Sequence, residues 1–158
     1  MARDRQCAFV RARDILELAA TLHLRVKHHW EQSQHTVLQS DAKMLLSYIQ
    51  HKEKRFTQMI DRFLKHAPED LLDAYFQFTP DEMERLDAFD TWRPDHGSDA
   101  KAILGAALEV DAFIESLYRR AAELASDEAV REMFENLAEA VADKQRSQVQ
   151  NAAWLTDI

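Results

Sequence analysis

Two stretches of the sequence, 88 residues apart, carry the same pattern of apolar residues. Apolar positions that recur every three to four residues are typical of the buried face of an amphipathic helix. The same offset continues into the segment that follows each stretch, and the repeat therefore predicts two similar helix pairs. The matched positions are Ile15 and Ile103, Leu16 and Leu104, Ala19 and Ala107, Leu22 and Val110, Val26 and Ile114, Trp30 and Tyr118, and Ile49 and Leu137.

The composition supports long helices, because the chain of 158 residues has only two glycines and three prolines. Average proteins have about 7 % glycine and 5 % proline. We predict one all-α domain over residues 1–158, with an N-terminal arm over 1–11 and a connector of two short helices within 67–98. The predicted long helices cover 12–35, 40–67, 100–124 and 127–155, with Ser40 and Ser126 as caps.

The net charge of −8 is unevenly distributed, with +5 over residues 1–68, −8 over 69–99 and −5 over 100–158. Opposite charges on the two halves favour packing within the chain or self-association as a homodimer. Nucleic-acid binding is disfavoured, because acidic residues interrupt the basic ones. No apolar run approaches the length of a membrane span or a signal peptide, and Cys7 has no second cysteine to pair with, so we expect a cytoplasmic protein without a membrane anchor.

Three segments resemble the rubrerythrin-like proteins of the ferritin-like superfamily. "ILELAATLHLRVKHHW" and "ILGAALEVDAFIESLY" are similar to the first helix of that family, and "LAEAVADK", which begins at Leu137, is similar to its second-helix motif Leu-Ala-x-x-Glu-x-x-His. The resemblance implies an antiparallel four-helix bundle made of two helix pairs joined by a long connector. In such bundles, two helices each provide a Glu and two provide Glu-x-x-His, all as ligands of a di-iron centre.

The resemblance also identifies which residues of this chain occupy the ligand positions. Only Glu53 keeps the residue type of the family, and Asp111 keeps a carboxylate on a shorter side chain. A di-iron centre uses four carboxylates and two imidazoles, so we predict that this chain has lost it. The six positions, in repeat pairs, are His23 with Asp111, Glu53 with Val141, and Phe56 with Lys144.

Two hypotheses describe the interior that remains. In the first, the Lys144 ammonium lies between Glu53 and Asp111, with His23 close by, and no cofactor is bound. In the second, His23, Glu53 and Asp111 form a set of two carboxylates and one histidine that binds a single iron or manganese ion, as in mononuclear iron oxygenases. Lys144 disfavours the second hypothesis, because a buried ammonium in the same layer would repel a metal ion.

The remaining histidines leave a further alternative. The alignment could be shifted by one helical turn, which would bring His51 or His66 into the interior. His51 and Glu53 are two residues apart and cannot share a helix face, which weakens this alternative. His28, His29 and His35 form a local cluster for which surface metal binding is an alternative. We predict a solvated face instead, since adjacent helical side chains point about 100° apart.

The sequence lacks a nucleophile–base motif, a glycine-rich phosphate loop and a Cys-x-x-Cys pair. We therefore predict a non-catalytic binding or assembly role with an unidentified protein partner or with itself. The alternative is a metal-binding protein with redox or metal-handling activity, and a ligand held between the helices is a third option. The apolar connector residues are predicted to pack on the bundle, with a partner surface as the alternative: Leu71, Leu72, Tyr75, Phe76 and Phe78.

Overall fold

The computed structural model describes residues 8–78 and 93–156, and this part of the chain is mostly helical. Four of its helices are long and one is a single short turn. Two four-residue strands complete the described elements. In chain order these are β1 (Ala8–Arg11), α1 (Ala12–Thr36), α2 (Ser40–His66), α3 (Glu69–Leu72), β2 (Tyr75–Phe78), α4 (Ala100–Leu124) and α5 (Glu128–Thr156).

The predicted bounds of the four long helices are confirmed to within one or two residues. The caps differ in position from the prediction. Ser40 is the first residue of α2 and not its cap, and at the start of α5 the Asp127 carboxylate accepts the Val130 N–H at 3.1 Å. Helix α4 begins directly after the predicted break at 93–99. At its start the Asp99 carboxylate accepts the Ala102 N–H at 3.0 Å. Short polar side chains thus fix where these two helices begin.

The long helices bury the repeated apolar positions in one shared core. Helix α1 packs against α2, α4 packs against α5, and α2 also contacts both α4 and α5. Among the repeated positions, Leu104 is half-buried and the others are buried. The amphipathic pattern therefore identified the packed faces of all four long helices.

The connector differs from the prediction, because the segment before residue 79 is not a continuous helix. Helix α3 ends at Leu72, and β2 pairs antiparallel with β1, which places Phe76 opposite Val10. The Ala12 N–H donates to the Ala74 carbonyl at 3.0 Å and extends this pairing. Successive side chains of a strand point to opposite faces of the sheet. Phe76 is therefore buried against Phe134, with ring centroids 6.1 Å apart, while Tyr75 is exposed.

Part of the predicted N-terminal arm is therefore the strand β1. Within the connector, Leu72 and Phe76 pack into the core as predicted, but the same prediction was wrong for Tyr75, which is exposed. The Phe78 side chain lies outside the part of the chain that the structure describes. Cys7 and the second predicted connector helix, over 79–92, lie outside the described residues. No helix of the described residues has both the length and the apolar character needed to cross a membrane.

Candidate functional site

Four polar side chains from four different helices meet in the core. His23 comes from α1, Glu53 from α2, Asp111 from α4 and Lys144 from α5. Their exposed fractions are 0 %, 0 %, 1 % and 5 %, respectively. These are the residues that the repeat and the resemblance singled out, and we call them the interior cluster.

Lys144 connects the two carboxylates of the interior cluster. Its Nζ donates hydrogen bonds to Glu53 Oε2 and, at 2.8 Å, to Asp111 Oδ1. A buried charge is tolerated where it is both paired and hydrogen-bonded. The structure thus places the ammonium between the two carboxylates, in the arrangement that the first hypothesis described.

His23 occupies the other side of the Glu53 carboxylate. Its Nδ1 lies 2.6 Å from Glu53 Oε1, and its Nε2 lies 3.1 Å from the Tyr118 hydroxyl. Burial, and then the Glu53 charge, raise the pKa of Tyr118, so its phenol keeps the proton. With a neutral imidazole, Tyr118 O–H donates to Nε2 and Nδ1–H donates to Glu53. One continuous chain of hydrogen bonds therefore joins all four long helices.

The cluster shifts the pKa values of its members in different directions. Burial opposes ionisation of Glu53, but the Lys144 charge and the hydrogen bonds from His23 and Lys144 outweigh it and lower the pKa of Glu53 to about 2. Burial also disfavours the Lys144 ammonium, yet Asp111 and Glu53 raise its pKa above the ordinary value. Burial dominates at Asp111 and raises its pKa. Glu53 and Lys144 are therefore the ionised pair, and Asp111 is the carboxyl that takes up a proton more readily.

Apolar side chains fill the remaining ligand positions suggested by the resemblance. The Phe56 ring stacks on the His23 imidazole, with centroids 4.5 Å apart and planes inclined by 30°. The Lys144 Nζ lies 5.5 Å from the centroid of the same ring, close enough for a cation–π contact. Val141 is fully buried one turn before Lys144. His23, Glu53 and Asp111 are therefore enclosed by packed side chains.

Gln148 is a buried polar residue that the sequence analysis did not identify. It is 0 % exposed, and neither atom of its amide group has a hydrogen-bond partner among the described residues. It lies four residues after Lys144 and so on the same face of α5. The spacing from Val141 through Lys144 to Gln148 was a signal for this burial, and the repeat partner of Gln148 is the buried Ile60.

Asp111 Oδ2 also lacks a partner among the described residues. A buried polar group without a hydrogen bond costs about 1–3 kcal/mol.

We expect Gln148→Met to raise the free energy of unfolding by about 1–3 kcal/mol, because it removes the buried amide and nearly keeps the side-chain shape. Urea denaturation followed by circular dichroism measures the change. Gln150→Met, at an exposed position of the same helix, is the control and should change stability by less than about 0.5 kcal/mol. A loss of stability in Gln148→Met would show that the amide is bonded in the folded protein.

The other histidines lie in different places from the interior cluster. His51 and His66 are exposed, so the alignment shifted by one turn is wrong. His29 is 5 % exposed, and the prediction of a solvated face was wrong for it. The Arg93 guanidinium donates to His29 Nδ1 at 3.1 Å. Burial and the Arg93 charge lower the pKa of His29 to about 4, which keeps the ring neutral at physiological pH.

Protein-family models, curated proteins and solved structures gave no match to the chain. Within residues 8–78 and 93–156, no group of three or more His, Cys, Asp or Glu side chains is arranged to hold a metal ion. The chemistry of the interior cluster is thus defined by its own contacts, which are those of a buried ion pair extended by an imidazole and a phenol.

Proposed function

We propose that this protein is a ferritin-like helical protein in which the Lys144 ammonium takes the place of the metal ions, and that its role is non-catalytic binding or assembly. The observation that carries the proposal is the position of Lys144 Nζ, bonded to both Glu53 and Asp111. One cation of the protein itself then balances the charge that iron balances in the metal-containing bundles.

The architecture agrees with this proposal. Two helix pairs with the same apolar pattern share one core, and the chain between them is the segment over 67–98. The proposed arrangement is an antiparallel four-helix bundle. In that arrangement the four residues of the interior cluster belong to four different helices, as the inward-facing ligands of a ferritin-like centre do.

The residues present do not fit a di-iron centre. Two carboxylates and one imidazole surround an ammonium, whereas the centre requires four carboxylates and two imidazoles. Phe56 and Val141 provide no donor atom. Each carboxylate of the cluster is already bonded to Lys144.

The enclosure of the cluster supports a non-catalytic role. His23 and Glu53 have no exposed surface, and Lys144 is 5 % exposed. A substrate would have to separate packed side chains to reach the imidazole. The interior cluster therefore acts best as a structural element of the protein, and binding or assembly would take place at the surface.

The alternative function is metal binding by His23, Glu53 and Asp111. Both imidazole nitrogens of His23 are engaged, one with Glu53 and one with Tyr118. A metal ion would have to displace Lys144 from two carboxylates that hold it in the core. The contacts therefore favour the metal-free proposal.

Elemental analysis by plasma mass spectrometry tests the proposal. The untagged protein is expressed with iron and manganese supplied and is then desalted. We expect metal well below one equivalent per chain, because Lys144 occupies the position between the carboxylates. Metal near one equivalent, lost in both His23→Ala and Asp111→Asn, would establish the alternative.

A reconstructed variant provides the positive control for this measurement. His23→Glu, Phe56→His, Val141→Glu and Lys144→His together restore the family residue at each of these four positions. We expect the combined variant to bind iron while the original chain does not. A variant that is helical by circular dichroism and binds no iron would show that the ligand positions have been assigned wrongly.

A further inference from the structure

A basic pocket of about 310 Å³ lies between α2 and α5 and reaches the interior cluster. Four cationic side chains line it, three from α2 and one from α5. The only acidic residue in its lining is Asp143, which is paired with Arg146. The pocket is thus locally positive on a chain whose net charge is −8. The cationic residues are Lys52, Arg55, Arg62 and Lys144.

The cations of this pocket retain donors for a ligand. Within the described part of the chain, Arg55 and Arg62 form no ion pair. Both are exposed on the face of α2 that lines the pocket. Lys144 has three N–H donors, and the two bonds to Glu53 and Asp111 use two of them. Guanidinium groups match the planar geometry of a carboxylate.

An apolar groove of about 780 Å³ adjoins the basic pocket. Met59 and Arg62 line both, so the two cavities form one continuous site along α2 and α5. The walls of the groove come from the end of α2, the corner before α3, α3 itself and the first turns of α5. Its apolar residues are Met59, Phe63, Ala67, Pro68, Leu71, Ala129 and Met133.

We propose that this continuous site binds a small amphiphilic anion, with its carboxylate at Arg55 and Arg62 and its alkyl chain along Met59, Phe63 and Met133. The proposal names a ligand for the binding role proposed above and rests on that role. The basic and apolar parts occur in sequence along α2, which matches a molecule with a charged head and an apolar tail. The volume of each cavity lies within the range of small-molecule sites, about 300–1,000 Å³.

The two parts of the site make different contributions to binding. The guanidinium groups select an anionic head, because a charge-assisted hydrogen bond is stronger than a neutral one. The groove selects the tail, because each methylene removed from water strengthens binding by about fourfold. Neither half of such a ligand should bind well alone.

Isothermal titration calorimetry with octanoate tests the proposal, with acetate as the head alone and n-octanol as an uncharged ligand of similar length. We expect octanoate to bind at least about tenfold more tightly than acetate, and more tightly than n-octanol. Equal affinities for octanoate and n-octanol would overturn the proposed role of the arginines. Equal affinities for octanoate and acetate would overturn the role of the groove.

Two matched variants locate the binding site. Arg62→Gln should weaken octanoate binding by about tenfold, because it removes a charge-assisted contact where the pocket and the groove meet. Lys54→Gln removes the same charge from an exposed position of α2 that does not line the site, and its octanoate affinity should stay within about twofold of the original. If both variants weakened octanoate binding equally, the binding would depend on the overall charge of the protein and not on this site, and the proposal would be overturned.

Metal content measured on the same protein sample separates this result from a failure of the proposed function. Octanoate binding together with a metal equivalent would overturn the metal-free core and leave the groove proposal intact. A metal-free protein that does not bind octanoate would overturn the groove proposal alone.

Discussion

Replacement of Lys144 by methionine is expected to lower the free energy of unfolding by about 3–5 kcal/mol. The substitution keeps an unbranched side chain but leaves Glu53 and Asp111 in the core without a cation. Both carboxylates are at most 1 % exposed, so water cannot compensate for the lost ammonium. Urea denaturation at neutral pH, followed by circular dichroism, measures the loss.

Two further variants distinguish loss of charge from loss of packing. Adding Glu53→Gln and Asp111→Asn to Lys144→Met removes both unpaired charges with little change in shape, and part of the stability should return. Lys101→Met, at an exposed position of α4, should change the free energy of unfolding by less than about 0.5 kcal/mol. A cost below about 1 kcal/mol for Lys144→Met would contradict its role as the charge partner of the carboxylates.

Glu53 is expected to give the protein a pronounced sensitivity to acid. Its pKa is about 2 in the folded protein against 4.5 for an ordinary glutamate. The stabilisation is therefore complete above about pH 4.5 and is lost as the pH falls towards 2. The difference corresponds to about 3 kcal/mol. We expect the original chain to be more stable than Glu53→Gln above pH 4.5, and this difference in the free energy of unfolding should decrease by about the same amount as the pH falls towards 2. Urea denaturation of both proteins across that pH range measures the difference.

Asp111 should show the opposite dependence and serves as the comparison. Its pKa is raised in the folded protein, so folded Asp111 takes up a proton more readily than the unfolded chain does. Its contribution to stability therefore increases as the pH falls through the raised pKa. The stability of the original chain relative to Asp111→Asn should rise in acid. If the stability of the original chain relative to Glu53→Gln and relative to Asp111→Asn changed in the same direction with pH, Glu53 would not be the ionised partner.

The sequence predicted the long helices from apolar spacing and the interior cluster from the family resemblance. Apolar periodicity located the buried faces, and the resemblance identified His23, Glu53, Asp111 and Lys144 as inward-facing positions. Side chains at equivalent positions of packed helices meet at one level of the core. In the long helices, the position of a residue in the sequence pattern therefore indicates which residues of the neighbouring helices it meets in the core.

Features that depend on distant parts of the chain were not predicted. Strand β2 forms because β1, more than sixty residues earlier, provides its hydrogen-bond partner. A four-residue segment rich in aromatic residues does not reveal such a partner by itself. The groove depends on how closely α2 and α5 approach each other, and this distance is set by packing. The Gln148 amide was missed because an isolated polar residue at a helix position usually faces solvent.

The hydrogen bonds of the interior cluster also fix the axial register of the helix pairs. Lys144 reaches from the second pair to Glu53 of the first, and His23 reaches from the first pair to Tyr118 of the second. Apolar stripes alone would allow one pair to slide past the other by a helical turn, about 5.4 Å, with similar burial. Such a slide would separate both contacts and leave charges unpaired in the core. The cluster thereby selects one alignment among several that hydrophobic packing would accept.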